Sequence, residues 1–335
     1  MTILTIILGL FLLDIIVFFH ELGHFAAAKL SGVKIEAFSL GMGPVIFHKK
    51  IKDTDWRLSL FPVGGYCSMK GEGDADFIHE NPEAAVDKDS FYGVKPILRA
   101  FIGAAGPFAN VIFAFLAFFT VSLVGYTYYS AGNTVKIATD VYPEMSSAAG
   151  DAGIKSGDKI IKINSAEISD FSDLYTQVAT HPDENILVLV ERKGEFLEFN
   201  VHTDINKSTG EGKIGVVSDP DSVERREAKT YGFFGAFANG AKETGNMIFL
   251  TVKGISTLFK GVKITESVSG PARVTSMLGS AATAGFSSGF RNGLSGVLQF
   301  MALISISLFI MNLLPIPILD GFLVLTNLIE AIFKI

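Results

Sequence analysis

His20-Glu21-Leu22-Gly23-His24 sets two imidazoles and a carboxylate at helical spacing. Residues four apart in a helix share a face, about one turn from each other. His20 and His24 can therefore offer two ring nitrogens to one divalent cation, and Glu21 can reach a water rather than the cation. Two neutral imidazole ligands, an open position for water and a carboxylate base are what hydrolytic zinc requires. Zinc lowers the pKa of its water toward ~7, which gives Glu21 a feasible proton to accept. The run ends an apolar stretch from about Thr2 to Leu30, long enough to cross a bilayer. His and Glu are costly there, so an intramembrane cluster of them points to chemistry performed within the membrane.

Catalytic zinc usually takes three protein ligands. Asp14 lies six residues before His20, about 9 Å along the axis, too far to share the metal. It stands on roughly the same face as Glu21 and either lines the approach to the site or is hydrogen-bonded between helices. The better candidate is in Asn312-Leu-Leu-Pro315-Ile-Pro317-Ile-Leu-Asp320-Gly321, after the apolar run Val297 to Leu314. Pro315 and Pro317 break helical hydrogen bonding, and Asn312 can rescue freed backbone groups or hold a substrate strand. Irregular backbone at membrane depth survives only inside protein or along a water-filled cavity, so Asp320 reads as a ligand rather than a helix cap.

The elements that must position these groups belong to a polytopic membrane protein with a soluble portion: 335 residues, 49% hydrophobic, mean hydropathy +0.40. A net charge of −6 gives no basic footprint for nucleic acid. The single cysteine, Cys67, rules out an internal disulfide framework and reads as a buried residue rather than a nucleophile. The first apolar run is too long for a cleavable signal. Lys29, Lys34, Lys49, Lys50, Lys52, Arg57, Lys95 and Arg99 crowd the segment between the first span and the second, about Ala100 to Tyr126. The positive-inside rule puts that segment in the cytoplasm, with the N-terminus and the residues after Tyr126 outside. Two spans separated by one antiparallel span run the same way. The two polar motifs, each near the far end of its span, are therefore expected to meet near the cytoplasmic face.

Residues 35–72 read as short strands punctuated by Gly41, Gly43, Pro44 and Gly64-Gly65, and 73–98 as an acidic loop. Gly103 to Asn110 supplies small residues inside the second span for close helix contact. Ser147-Ala-Ala-Gly-Asp-Ala-Gly-Ile-Lys-Ser-Gly157-Asp158, leading into Ile160, Ile161 and Ile163, resembles the PDZ pattern of bacterial proteases. Strands at Leu187–Val190 and Phe196–Val201 flank the Arg192-Lys193-Gly194 turn. Such a domain can bind peptides by strand addition, filter substrates by size, or merely pack on its neighbour. Residues 230–263 are too polar for a span and read as an interfacial amphipathic helix. His48, His79, His181 and His202 lie outside the spans and read as surface or locally bonded residues.

HELGH in a first span and NLLPIPILDG in a late one resemble the site-2 protease family of intramembrane zinc metalloproteases. Gly64-Gly65-Tyr66, Gly106-Pro107-Phe108-Ala109-Asn110 and Ser269-Gly270-Pro271 add to the likeness, and with the PDZ-like segment the chain is most similar to the bacterial regulator-of-sigma-E branch. The resemblance implies one catalytic Zn²⁺ on His20, His24 and Asp320, with Glu21 as base. It also implies a membrane-associated β-hairpin that pairs with an unwound substrate, and substrate contacts from Asn312, Pro315, Gly64, Gly65, Tyr66 and Asn110. Asn110 can alternatively be an interhelical hydrogen bond. Substrates would be single-span proteins already shortened by a first cleavage, an anti-sigma factor or signal-peptide remnants, in the bacterial inner membrane and in a stress response.

The expected organisation is a first transmembrane helix (1–32), a cytoplasmic hairpin and loop (33–98), a second transmembrane helix (99–130), an extracytoplasmic α+β PDZ-like domain (131–205), an extracytoplasmic segment with the interfacial helix (206–292) and a third transmembrane helix (293–335). Phe322 stands where the family usually has a second glycine, and a fourth span returning outside is expected but absent from these residues. A non-catalytic scaffold presenting the PDZ-like domain, or a metal transporter, would account for parts of the pattern. A scaffold does not require the His20/Glu21/His24/Asp320 set, and a transporter predicts polar residues spread along a pore.

Overall fold

The computed structural model describes residues 3–73, 86–206, 210–258 and 271–333. In chain order the main elements are α1 (Ile3–Leu30), β1 (Ile35–Ile51), β2 (Thr54–Met69), α2 (Pro96–Val124), β3 (Thr127–Ser130), β4 (Val135–Ile137), β5 (Lys159–Ile163), β6 (Ala166–Glu167), α3 (Phe171–Ala179), β7 (Asn185–Arg192) and β8 (Glu195–His202). They continue with β9 (Asp204–Ile205), β10 (Gly212–Lys213), β11 (Val216–Ser218), β12 (Glu224–Glu227), α4 (Phe233–Leu258), α5 (Pro271–Ser287), α6 (Phe290–Asn312) and α7 (Asp320–Phe333). Two compact units result, Met1–Val124 with Thr230–Met247 and Pro271–Ile335, and Gly125–Lys229 with Ile248–Gly270.

The first unit is helical. Thr5–Leu30, Pro96–Val124 and Phe290–Asn312 are each long and apolar enough to cross a membrane. Their outer faces carry exposed Ile7, Phe11, Phe101, Phe108, Ile112 and Leu303, as expected where lipid rather than water is the solvent. Their inner faces meet α5 around Leu12, Ile16, Phe113, Leu278, Ala282, Val297 and Met301. Packing here is close because small residues face backbone. A Cβ on Gly9 would strike the Thr275 carbonyl, and one on Gly279 would strike the Thr5 carbonyl, so Thr5/Gly9 on α1 and Thr275/Gly279 on α5 fit each other reciprocally. The sequence pattern does not anticipate α5.

The segment after α1 is not a set of short strands. β1 and β2 are long, antiparallel and sharply bulged. Gly41 (φ 78°) and Gly64 (φ 91°) take left-handed backbone conformations that a side chain would strain, and there the strands bend. The bends let Ala37–Leu40 pair with both Gly65–Ser68 and Asp55–Leu58. The base of the hairpin packs on α1 through Phe18, Phe25, Phe38 and Trp56, with ring centroids 4.9–5.8 Å apart. Its far end leaves Met42, Ile46, Phe47, Leu60 and Phe61 exposed. The acidic loop falls mostly on residues 74–85, outside the described residues, as do His79 and Ser269-Gly270.

Within 293–335, the stretch assigned to the third span, the apolar helix ends at Asn312, ahead of Pro315 and Pro317, and a new helix begins at Asp320. Proline at 315 and 317 cannot donate the hydrogen bonds that would continue α6. Asp320 in the first turn of α7 is the acidic residue a helix start favours. α7 packs on α2, fastened by Arg99, whose Nη2 donates to Glu330 at 2.6 Å.

The second unit is built mainly of strands. A four-stranded antiparallel sheet, ordered β6-β5-β7-β8, with α3 encloses Ile160, Ile163, Leu174, Val178, Ile186, Val188, Val190 and Val201. Alternate residues of β7 are buried, the period-two pattern of a sheet with one covered face. Lys193 (φ 53°) and Gly194 (φ 86°) form the expected tight turn between β7 and β8. The amphipathic stretch from 230 is helical through Leu258 and is not among the helices apolar enough to span.

Candidate metal centre

The C-terminal third of α1 puts His20 and His24 on the face turned toward α2 and α7. His24 Nδ1 lies 2.8 Å from the Ile102 carbonyl oxygen, which can only accept, so Nδ1 carries the proton and Nε2 presents a lone pair. The amide of Asn110 lies 3.1 Å from His20 Nδ1, and among the described residues Asn110 Oδ1 is buried without a partner. With Oδ1 turned toward the ring, Nδ1–H and the amide oxygen satisfy each other, and His20 likewise presents Nε2. The two Nε2 atoms are 3.2 Å apart. Asp320 brings Oδ2 to 3.1 Å from His20 Nε2 and Oδ1 to 3.6 Å from His24 Nε2.

One donor atom from each of these residues lies within 4.8 Å of the others. Three converging electron-pair donors in a buried site repel one another unless a cation sits between them. Tetrahedral zinc with bonds near 2.0 Å separates its ligand atoms by roughly 3.3 Å, which matches the observed spacing. The residues present therefore fit zinc. Backbone fit contributes as well: a Cβ on Gly106 would collide with the His24 ring, and one on Gly321 with the Leu313 and Leu314 carbonyls. Phe322 projects outward, 42% exposed, so the missing second glycine is accommodated at the surface. Ile318, in the loop before Asp320, holds φ at 85°, an unusual conformation for a β-branched residue.

Beside the donors opens a cavity of about 340 Å³ lined by His20, Glu21, His24, Asp320, β2 residues Gly65 to Met69, and Glu72. Glu21 faces the backbone amide of Cys67. Glu72 accepts a hydrogen bond from Met69 N–H at 3.3 Å. The other edge of Gly65–Met69 is paired with no strand among the described residues. Cys67 is buried, and burial pushes its thiol up to about 12, which leaves it a poor nucleophile.

The expected substrate contacts divide. Gly65 and Tyr66 line the cavity. Gly64 lies outside it, at the bend toward Asp14. Asn312 ends α6, and Pro315 is exposed in the following loop. Asn110 is fully buried, and its amide lies against His20 Nδ1, a position suited to orienting that ring. Glu72 and the Ile102 carbonyl escaped the sequence reading. The first stood in an acidic stretch, and the second carries no side-chain signal. Of the other histidines, His48 bonds Asp55, His181 the Gln177 carbonyl and His202 Asn185, all locally.

Residues 8–335 match Peptidase family M50. A relative from Treponema pallidum is 32% identical over 98% of this chain and 91% of its own length. One from Agrobacterium fabrum is 34% identical over 96% and 84%, and one from Campylobacter jejuni 33% over 96% and 82%. Each bears the name of a zinc metalloprotease. Agreement over nearly the whole chain, together with a donor set that fits the metal, makes this chain a zinc-dependent metalloprotease of peptidase family M50, the site-2 protease family.

Proposed function

We propose that the chain is an intramembrane endopeptidase whose zinc is held by His20, His24 and Asp320, with Glu21 as the general base. The observation that carries this reading is the convergence of the three donors and Glu21 on one cavity at the end of a helix long enough to span a bilayer. When bound, zinc supplies Lewis acidity to a water and to the scissile carbonyl. Glu21 takes the water's proton and later delivers one to the leaving amine. The open edge of Gly65–Met69 is suited to accept an unwound substrate as an added strand, and an extended segment is what a spanning helix must become before its carbonyl reaches the site.

The substrates are single-span proteins shortened by a first cleavage, an anti-sigma factor or signal-peptide remnants, in a bacterial inner membrane. The second unit, a PDZ-like domain on the extracytoplasmic side with the N-terminus, excludes intact substrates. The clustering of basic residues between the first two spans supports this orientation. The test is cleavage of a fluorogenic single-span substrate by purified protein loaded with zinc, beside Glu21→Gln. Wild type cleaves, and Glu21→Gln retains stoichiometric zinc but loses at least a thousandfold in rate. Equal cleavage by both, or none by the zinc-loaded wild type, overturns the reading.

A further inference from the structure

Asp14 is a buried carboxylate in a spanning helix, 7% exposed, and its Oδ1 has no hydrogen-bond partner among the described residues. The backbone amide of Gly64 on β2 faces its carboxylate. One turn on, the same face of α1 presents Val17, and two turns on Glu21. Gly65 lies over both, and the Cβ it lacks would stand 3.7 Å from Val17 Cγ1 and 3.6 Å from Glu21 Cγ. Glu21 in turn faces the backbone amide of Cys67.

The spacings match. Asp14 and Glu21 are seven residues apart, about 10.5 Å along a helix axis. Gly64 and Cys67 are three residues apart, about 10 Å along a strand. A carboxylate at each end thus faces a backbone amide of β2, with Gly65 laid against Val17 and Glu21 between them, and the strand runs along α1 in one register. Register matters because a slip by one residue turns every side chain to the other face. The cost of burying a carboxylate with one oxygen unsatisfied is hard to justify by packing alone, since an apolar residue at position 14 would suit the span better.

We propose that Asp14 is a positioning residue for hydrolysis, an anchor that docks β2 on α1 and so fixes the edge Gly65–Met69 over Glu21 and the metal-binding residues. Glu21 cannot be the only anchor, because its carboxylate is engaged with the reacting water during catalysis. Asp14 holds the strand while Glu21 works.

The single cysteine lies on the docked strand and is buried, so its reactivity reads docking directly. Full-length, zinc-loaded protein in detergent would be treated with a maleimide at pH 8, comparing wild type, Asp14→Leu and Asp14→Asn. Asn keeps an oxygen that can accept from Gly64. The expected result is at least tenfold faster labelling of Cys67 in Asp14→Leu, with Asp14→Asn close to wild type and zinc content equal in all three. With a cleavable substrate, kcat falls at least tenfold in Asp14→Leu and recovers toward wild type in Asp14→Asn. Asp14→Ala takes the place of Asp14→Leu should the latter fail to accumulate. Unchanged labelling in the apolar variant overturns the proposal, as does an Asn variant that behaves like it. Only the kcat comparison rests on the protease reading. The labelling reads docking whether or not the chain cleaves anything, so failures of the two are distinguishable.

Discussion

At the scale of single residues, the centre depends on ring tautomers as much as on ligand identity. Both imidazoles can present Nε2 only if Nδ1 keeps its proton, and each Nδ1 has one acceptor to hold it: the Ile102 carbonyl for His24 and the Asn110 side chain for His20. The two acceptors are not equally open to mutation, since one is backbone. Asn110→Ala removes the acceptor opposite His20 and frees the ring to rotate or change tautomer. Zinc affinity is expected to fall 10–100-fold, the usual consequence of losing a partner behind a metal-binding His, while helix content stays unchanged. Asn110→Asp, which keeps an acceptor, should retain most of the affinity. Competition with a chelator of known strength measures both. Equal affinity in Asn110→Ala and wild type would show that packing alone orients His20. The sequence placed Asn110 near the site through its motif but could not tell a ligand-facing amide from a cleft-facing one. That distinction depends on the rotation of α2 about its axis, which an all-apolar span does not encode by periodicity.

At the scale of elements, the HExxH helix was readable because two His four apart in an apolar run serve few purposes besides holding a metal. The three spans followed from length and hydropathy, and the β5, β7 and β8 strands from apolar runs set against the turns at Gly157-Asp158 and Arg192-Lys193-Gly194. The fate of the C-terminal motif was less legible. Apolar residues lie on both sides of the prolines, so composition runs through the break unchanged, although the acidic residue after Pro315 and Pro317 is the local sign of a new helix start. Because Asp320 opens α7, its position depends on how firmly α7 is held. The grip at the far end is Arg99, 5% exposed, which pairs with Glu330 and lies 4.9 Å from the Tyr92 ring centre. Glu330→Ala leaves a buried guanidinium without its carboxylate, at a cost of about 3 kcal/mol. The expected outcome is a lower unfolding temperature in detergent together with weaker zinc retention. Arg99→Met combined with Glu330→Leu should recover much of the stability, because a buried ion pair replaced by apolar groups is often neutral. A Glu330→Ala protein that unfolds earlier but binds zinc as tightly as wild type would uncouple α7 from the metal site.

At the scale of the whole molecule, the chain builds two units for two solvents, and they fail for different reasons. The first relies on helices brought close by small residues, with apolar side chains turned outward. The second has a core of isoleucine and valine under a sheet, tied by one buried charge pair. Asp158 is 1% exposed, accepts from Arg192 Nε and Nη2 at 2.7 Å, and also from Lys155 N–H at 2.8 Å. Burial alone would raise its carboxyl, but Arg192 and the Lys155 amide outweigh burial and hold it below the usual carboxylate range. A carboxyl depressed in the folded state stabilises the fold at every pH above its ordinary value, near 4, and that contribution disappears as the pH falls through the depressed one. Asp158→Asn keeps the shape and removes the charge, so the variant lacks this contribution at all pH. At pH 7 its second unit is expected to be about 2 kcal/mol less stable, roughly 10 °C in unfolding temperature for a domain of this size. On acidification the wild-type transition should move down to meet that of the variant, and the first unit's transition should show no difference between the two proteins. Calorimetry of the full chain in detergent between pH 7 and 3 resolves this. Curves that stay parallel to pH 3 would show that the stability of the second unit does not depend on the Asp158 charge.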